Sequence, residues 1–174
     1  MTKIDDIYNQ VDDFGLITSA EASALGMSNA ELVQQAAKGK LVRVARGVYR
    51  MPVWPSQPQA PYAIAIKSAG NGAFLYGESV VALLGLAPTN PSKLKIASPK
   101  RVRRDLGRGV EVIHETGTSP VLVEGIPCQP VADAIVSSVN TMGSKRALEA
   151  AREAESRGVI TLVELERIES EIRA

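Results

Sequence analysis

The feature that most constrains the fold is a proline-rich segment, residues 51–61, which reads MPVWPSQPQAP and contains four prolines. Proline fixes the backbone φ angle and has no amide hydrogen, so such a segment forms neither a helix interior nor a central strand. We therefore expect an extended linker over residues 53–61 between two domains, which would span residues 1–52 and residues 62–174.

Three helices are predicted before this linker. Apolar residues recur at helical spacing over residues 4–14, which indicates an amphipathic first helix. Thr18 and Glu21 have the spacing of a capping box, in which a hydroxyl and a carboxylate satisfy free amides at a helix start. Ser28 and Glu31 repeat that spacing. The two motifs predict where the second and third helices begin.

A β-hairpin is predicted directly after the third helix. Residues 41–50 contain two short runs of β-branched and aromatic residues around Ala45-Arg46-Gly47, where the glycine accommodates the positive φ of a tight turn. Three helices followed by a hairpin is the element order of a winged helix-turn-helix domain, whose third helix enters the major groove of DNA. We therefore predict a winged helix-turn-helix DNA-binding domain at residues 1–52.

The residues after the linker predict a mixed α+β domain, so the fold class of the chain is α+β. Strands are expected at residues 93–97, 110–114, 121–124 and 126–128. Helices are expected at residues 61–70, 77–86, 131–139, 144–156 and 161–173. Thr161 and Glu164 form a third capping box at the start of the last helix. Its apolar stripe packs into the core or meets a partner, and consists of Leu162, Leu165, Ile168 and Ile172.

Charge is distributed unevenly, although 20 Lys and Arg against 19 Asp and Glu give a formal net charge of only +1. Residues 38–50 contain no acidic residue. The basic residues there are Lys38, Lys40, Arg43, Arg46 and Arg50. In a winged helix they would lie beside the DNA backbone, so we predict that they contact phosphates. The alternative for the hairpin arginines is protection of an exposed strand edge.

The third helix is expected to bury one face and to present the other to the bases. At about 100° per residue, Leu32, Val33 and Ala36 form the inward stripe. Glu31 would be unfavourable beside DNA unless the capping box turns it back onto its own helix. An amide side chain both donates and accepts, which matches the N6 and N7 positions of adenine. The candidate DNA-reading residues are Ser28, Asn29, Gln34 and Lys38. The alternative is an ordinary solvated helix face.

A second basic run lies in the C-terminal domain, between two predicted strands. It consists of Lys100, Arg101, Arg103, Arg104 and Arg108. We interpret it as a second phosphate-contacting patch or as a site for an acidic partner. A solvated loop is the competing interpretation.

One cysteine and one histidine exclude most metal and nucleophilic chemistry. Cys128 and His114 cannot form a disulfide framework, a Cys/His metal site or a catalytic triad. We expect both to have buried structural roles on strands. An enzyme in the second domain would have to use scattered groups, with no D-x-D or E-x-K pair after a strand. Those groups are Glu78, Lys95, Asp105 and Glu111. We predict no catalytic residue, no cofactor and no metal.

The hydropathy pattern indicates neither a membrane span nor a signal peptide. No apolar run approaches the roughly 20 residues needed to cross a bilayer. The start, MTKIDD, is followed by acidic residues instead of an apolar core. We expect a cytoplasmic protein that does not bind a membrane.

Several segments resemble the AbiEi antitoxins of bacterial type IV toxin–antitoxin pairs. The resemblance lies in GLITSAEA at residues 15–22, LGMSNAEL at residues 25–32 and GKLVRVARGVYR at residues 39–50. It continues through FLYGESVVALLGL at residues 74–86, which is similar to the opening of the family's second domain, and through the strand KLKIA at residues 93–97. The arginine-containing hairpin after a winged-helix pattern is the most specific of these features.

The resemblance implies a transcriptional autorepressor that binds repeats in its own promoter as double-stranded DNA. It also implies a C-terminal domain that counteracts a nucleotidyltransferase-like toxin, functionally and without a stable contact being required. By position, the family's DNA contacts would fall on Ser28, Asn29, Gln34, Lys38, Lys40, Arg43 and Arg46. A generic winged-helix regulator and a protein-binding module without a toxin partner are the alternatives. The oligomeric state stays open, with a dimer on DNA as one option.

Overall fold

The computed structural model describes residues 2–174 and confirms a mixed α+β fold. The chain divides into two compact units, of which one ends at Asn71 and the other spans Gly72–Ala174. They are called the N-terminal unit and the C-terminal unit below.

The N-terminal unit combines helices with a three-stranded antiparallel sheet of order β1-β3-β2. Along the chain its elements are α1 (Lys3–Gln10), β1 (Leu16–Thr18), α2 (Ser19–Ala24), α3 (Asn29–Ala37), β2 (Val42–Ala45), β3 (Val48–Arg50) and α4 (Ala60–Ala69). The pairing places Leu16 opposite Arg50 on one side of the central strand. It places Arg43 opposite Tyr49 on the other side.

The predicted capping boxes set the starts of α2 and α3. The Thr18 hydroxyl accepts from the Glu21 amide at 3.1 Å, and the Glu21 carboxylate accepts from the Thr18 amide at 2.9 Å. At α3, the Ser28 hydroxyl accepts from the Glu31 amide at 3.2 Å. Each box satisfies donors that a helix start leaves without an intrahelical partner.

The first helix is shorter than predicted. α1 ends at Gln10, not near Phe14, and Val11 has an extended backbone. The Asp12 carboxylate accepts from the amides of Phe14 and Leu16, both at 2.9 Å. An aspartate that bonds the following backbone competes with helix formation, so the chain turns here and enters β1, a strand that the sequence pattern did not indicate.

The proline-rich segment is not a free linker. Trp54 Nε1 and Gln57 Nε2 both donate to the Asp13 carbonyl, each at 3.1 Å. A Cβ atom at Gly15, which has φ +71°, would overlap the indole of Trp54. The segment is therefore packed against the turn between α1 and β1.

The observed boundary between the units also lies further along the chain than the predicted linker at residues 53–61. α4, whose first turn contains Pro61, packs against β1, β2 and β3. Lys67 of this helix forms an ion pair with Glu21 of α2 at 2.8 Å. These contacts place residues up to Asn71 in the N-terminal unit.

The C-terminal unit contains a five-stranded mixed sheet of order β6-β5-β4-β8-β7. Its strands are β4 (Phe74–Leu75), β5 (Leu94–Ser98), β6 (Val110–His114), β7 (Val121–Val123) and β8 (Ile126–Cys128). Its helices are α5 (Glu78–Leu84), α6 (Val131–Ser137), α7 (Val139–Met142), α8 (Ser144–Ser156) and α9 (Leu162–Arg173). The pairs β5–β6 and β4–β8 are parallel, whereas β4–β5 and β7–β8 are antiparallel.

In this unit α5 contacts β5 and α6, and α6, α8 and α9 pack against one another. Phe74 and Ile135 are fully buried, and α9 contributes Ile168 to the packing against α6 and α8. The stripe on α9 is thus core at Ile168, while Leu162 remains exposed. In the part of the chain that is described, no helix has both the length and the apolar character needed to cross a bilayer.

Both Cys128 and His114 were predicted to be buried, and the prediction is confirmed for Cys128 only. Cys128 is fully buried on β8, and burial raises the pKa of its thiol to about 12, with the Glu124 charge adding to the shift. It stays a protonated, unreactive thiol at neutral pH. His114 is exposed, because it is the last residue of β6, an edge strand.

Candidate nucleic-acid interface

The rotation of α3 about its axis decides which side chains it presents. Leu32 is fully buried in the core with Ile7, Ile17 and Tyr49. Ala36 is half-buried as predicted, whereas Val33 is 56% exposed, contrary to the predicted inward stripe. Once Leu32 fixes the rotation, Val33 lies about 100° away from it and turns toward solvent.

Gln35 takes the inward position that the sequence pattern gave to Val33. Its side chain is half-buried, and its Oε1 atom is buried without a hydrogen-bond partner among the described residues. The predicted inward stripe was chosen from apolar residues alone, so it included Val33 and left out Gln35.

The predicted DNA-reading residues lie together on the outer side of α3. Ser28, Asn29, Gln34 and Lys38 are all exposed. Ser28 already serves as the helix N-cap, since its hydroxyl accepts from the Glu31 amide. No described residue forms a hydrogen bond or ion pair with the side chains of Gln34 or Lys38, which are therefore available to a ligand.

Glu31 does not face outward as a bare charge. Its carboxylate forms an ion pair with Lys3 Nζ of α1 at 3.0 Å and accepts weakly from the Ser28 amide at 3.5 Å. The hydrogen bond from Lys3 is the main reason that the pKa of Glu31 is lowered from its ordinary value. The negative charge of Glu31 is thus offset by Lys3 of α1, and its carboxylate is turned back onto the start of its own helix, as the capping box predicted.

The β2–β3 hairpin and the turn that joins it to α3 carry exposed cations. The side chains of Lys40, Arg43 and Arg46 are exposed and have no hydrogen bond or ion pair with any residue in the described range. Gly47 closes the turn with φ +70°, and its carbonyl accepts from the Ser19 amide at 2.9 Å, which ties the hairpin to α2. Arg43 and Arg46 thus lie on a hairpin that is hydrogen-bonded to the start of α2, while Lys40 lies between α3 and β2.

Two details qualify this basic surface. Arg50 is half-buried, and its Nη1 donates to the Trp54 carbonyl at 2.9 Å, so it differs from the four exposed cations. Thr2 hydrogen bonds are the main reason that the pKa of Asp5 is lowered, and Lys40 adds a smaller electrostatic contribution. The exposed cations are therefore Lys38, Lys40, Arg43 and Arg46, and this group is called the basic strip.

The second basic run occupies the irregular segment between β5 and β6. All five of its basic residues are exposed, namely Lys100, Arg101, Arg103, Arg104 and Arg108. The segment has a local turn in which the Asp105 carboxylate accepts from the Gly107 amide at 2.8 Å. It belongs wholly to the C-terminal unit.

Three of the four groups considered for an enzyme line one polar cleft of about 470 Å³ in the C-terminal unit. Glu78, Lys95 and Glu111 lie there, with Lys95 beside Glu111 in the β5–β6 register, while Asp105 does not. Glu78 accepts a hydrogen bond from the Thr89 hydroxyl. The described residues contain no group of three or more His, Cys, Asp or Glu side chains arranged to hold a metal ion.

The N-terminal segment is similar to a family of transcriptional regulators. Residues 10–52 match the family model described as transcriptional regulator, AbiEi antitoxin. The match confirms the resemblance to AbiEi antitoxins over the segment that carries α2, α3 and the hairpin. It supports a general regulator or antitoxin role.

The other comparisons concern the whole chain. A crystal structure of the RV2827C protein from Mycobacterium tuberculosis superposes with a TM-score of 0.51 at 17% sequence identity, covering 96% of this chain and 69% of that one. At this identity the likeness concerns the fold alone. No curated protein sequence matches the chain significantly.

Proposed function

We propose that the N-terminal unit is a winged helix-turn-helix domain that binds double-stranded DNA. Its order of elements supports this, since α2 and α3 are joined by the short turn at residues 25–28 and the β2–β3 hairpin follows directly. α3 then lies in the major groove and the hairpin reaches the adjacent backbone.

The observation that carries the proposal is the basic strip, which begins at the end of α3 and continues onto the β2–β3 hairpin. Its four cations are exposed and lack ion-pair partners in the described residues, and the nearest acid on α3, Glu31, is neutralised by Lys3. Cations placed in this way exchange condensed counterions for phosphate contacts, which supplies most sequence-independent affinity.

Side chains on α3 supply the sequence preference in this proposal. The amide groups of Gln34 and Asn29 donate to N7 of adenine and accept from its N6 amino group, while Lys38 and the hairpin residues position the domain on phosphates. Replacing Gln34 with alanine should relax the preference at one base pair, with a cost of roughly 1–3 kcal/mol for the preferred sequence.

We also propose that the chain represses its own promoter and counteracts a nucleotidyltransferase-like toxin. The family match over residues 10–52 supports this as an antitoxin role. The run from Lys100 to Arg108 would supply a second phosphate-contacting patch. Binding to promoter repeats by a dimer would place two copies of α3 about 34 Å apart, one helical turn along the duplex.

The DNA proposal is tested by gel-shift titrations on the DNA upstream of the gene at two salt concentrations. We expect the Arg43→Ala/Arg46→Ala variant to bind every sequence more weakly and to lower the salt slope by about 1.8, which is the loss of two phosphate contacts. Lys145→Ala/Arg173→Ala removes the same charge from exposed positions of the C-terminal unit and is the matched control. Equal binding by both variants would show that the hairpin arginines only protect the edge strand β2.

The toxin proposal needs a separate assay. The chain, expressed from an unrelated promoter, should restore growth of cells that express a nucleotidyltransferase encoded beside its gene. The hairpin double variant should restore growth equally well if neutralisation does not require DNA. A genome neighbourhood without such a gene would leave a generic winged-helix regulator.

A further inference from the structure

Val33 is the large apolar side chain on the outer face of α3, and it is 56% exposed. On either side of it along the helix, Ala30 and Ala37 are also exposed. At about 100° per residue, Ala30 and Ala37 lie about 160° and 140° around the helix axis from Leu32, and together they mark an outward line. Val33 and Gln34 flank that line on its two sides.

This arrangement places one amide, that of Gln34, near the middle of the face that would meet the bases, and one branched apolar group, that of Val33, toward the edge of the same face. The small side chains of Ala30 and Ala37 let the helix backbone approach closely between them. Valine is stiff about χ1 in a helix, with one strongly preferred rotamer. Its two methyl groups are therefore presented in a defined direction, and little side-chain entropy is lost when they make a contact.

We propose that Val33 is a specificity-determining residue that packs against the 5-methyl group of a thymine in the major groove. This inference rests on the proposed DNA-binding function and deepens it. The thymine methyl is the one apolar group that distinguishes a base edge in that groove. Gln34, on the other side of the outward line, reads a neighbouring adenine.

The charges around Val33 favour DNA over a protein as the occupant of this face. Lys38 and Lys40 follow it at the end of α3, and Arg43 and Arg46 stand on the adjoining hairpin. None of these has an ion-pair partner among residues 2–174, and Glu31 is paired with Lys3. An exposed apolar side chain on a helix that is followed in the chain by unpaired cations fits a helix that meets base edges while the cations contact the phosphates.

The experiment uses the full chain and a duplex that it selects from a random pool. Each thymine of that duplex is replaced in turn by uracil, which removes only the 5-methyl group. Loss of one buried methyl group corresponds to about a fourfold loss of affinity. We expect the wild-type chain to show this loss at one thymine of the site, next to the adenine read by Gln34.

The variants make the assignment specific. Val33→Ala should bind the selected duplex about fourfold more weakly and should no longer distinguish uracil from thymine at that position. Val33→Thr, which keeps the side-chain shape but exchanges a methyl for a hydroxyl, tests the apolar character. Val163→Ala removes an exposed valine from α9 and should leave both affinity and uracil sensitivity unchanged.

Other results overturn the inference. Val33 does not contact thymine if Val33→Ala loses as much affinity on uracil substitution as the wild type does, or if no uracil substitution lowers the affinity of the wild type. In both cases the proposed DNA-binding function is unaffected. If Val33→Ala changes the sedimentation of the free protein and not its DNA affinity, the face contacts protein. If the chain selects no duplex at all, the proposed function fails and this inference fails with it.

Discussion

Some arginines of the C-terminal unit differ in their ion pairing from the hairpin arginines of the N-terminal unit. Arg157 forms an ion pair with Glu153 at 2.6 Å, and Arg167 forms one with Asp133 at 3.0 Å. In the N-terminal unit, Arg43 and Arg46 have no such partner among the described residues. The same type of side chain is ion-paired at Arg157 and Arg167 and has no ion-pair partner among the described residues at Arg43 and Arg46.

The difference teaches which charges of a nearly neutral chain are free to bind. Exposed ion pairs contribute only about 0–1 kcal/mol to stability, but they do cancel the charge of the arginine toward an outside ligand. Paired cations also occur in the N-terminal unit, where Lys3 and Lys67 hold acids of α3 and α2. The contrast is therefore between the basic strip and these paired cations, and the number of arginines does not reveal it.

The largest predicted effect tests the rotation of α3, which determines the side chains that lie beside the basic strip in the chain. Leu32→Ala should lower the free energy of unfolding by about 3 kcal/mol, since it removes a fully buried side chain. Trp54 is the only tryptophan of the chain and lies in the N-terminal unit, so its fluorescence during urea unfolding reports on this unit. Val33→Ala, one residue along the helix, should change stability by less than about 0.5 kcal/mol. Similar losses from both variants would refute the rotation of α3.

A second prediction concerns the packing of Trp54, whose carbonyl accepts from Arg50, against Gly15. Gly15→Ala should destabilise the N-terminal unit by about 1–3 kcal/mol more than Gly26→Ala. Both glycines have positive φ, but a Cβ at Gly15 meets the Trp54 indole, whereas one at Gly26 meets nothing within 4 Å. Thermal unfolding of the two variants separates the clash from the backbone strain, and equal midpoints would mean that the proline-rich segment is not packed there.

A smaller effect compares one arginine from each group. Arg167→Ala should cost about 0.2–1 kcal/mol of stability, because it removes exposed ion pairs to Asp133 and Glu171, and should not alter DNA binding. Arg46→Ala should do the reverse, with unchanged unfolding and weaker DNA binding. The comparison fails if Arg167→Ala weakens DNA binding as much as Arg46→Ala does.

The smallest effect is a pH dependence of the ion pair between Lys3 and Glu31. Because the hydrogen bond from Lys3 lowers the pKa of Glu31 in the folded state, its stabilisation is present above the ordinary value of 4.5 and is lost as the pH falls through the folded pKa. Lys3→Met should therefore flatten the acid side of the stability curve measured by urea unfolding. A curve identical to that of the wild type would show that the pair contributes nothing.

Much of the secondary structure follows from local signals. Capping boxes at Thr18, Ser28 and Thr161 identify three helix starts correctly, because their hydrogen bonds lie within four residues. The hairpin turn at Arg46 and Gly47 is also local. The short strands β1 and β4 were missed, since they exist only through pairing with β3 and with β5 and β8.

The candidate site was predictable in its charges but not in its rotation. Lys38, Lys40, Arg43 and Arg46 are exposed, and this follows from their position after α3 and on the hairpin. The exposure of Val33 and the inward position of Gln35 depend on how Leu32 fits the core, which hydrophobicity alone does not reveal. The engagement of Arg50 depends on where the prolines pack, and that contact is tertiary.

The docking of Trp54 and Gln57 onto Asp13 determines where the chain should be divided for experiments on separate fragments. A fragment that stops at Pro52 would lose the indole that fills the space above Gly15, along with α4. One that continues to Asn71 keeps both. A protease should consequently find its first cleavage site in the exposed segment around Arg103 and not among the prolines.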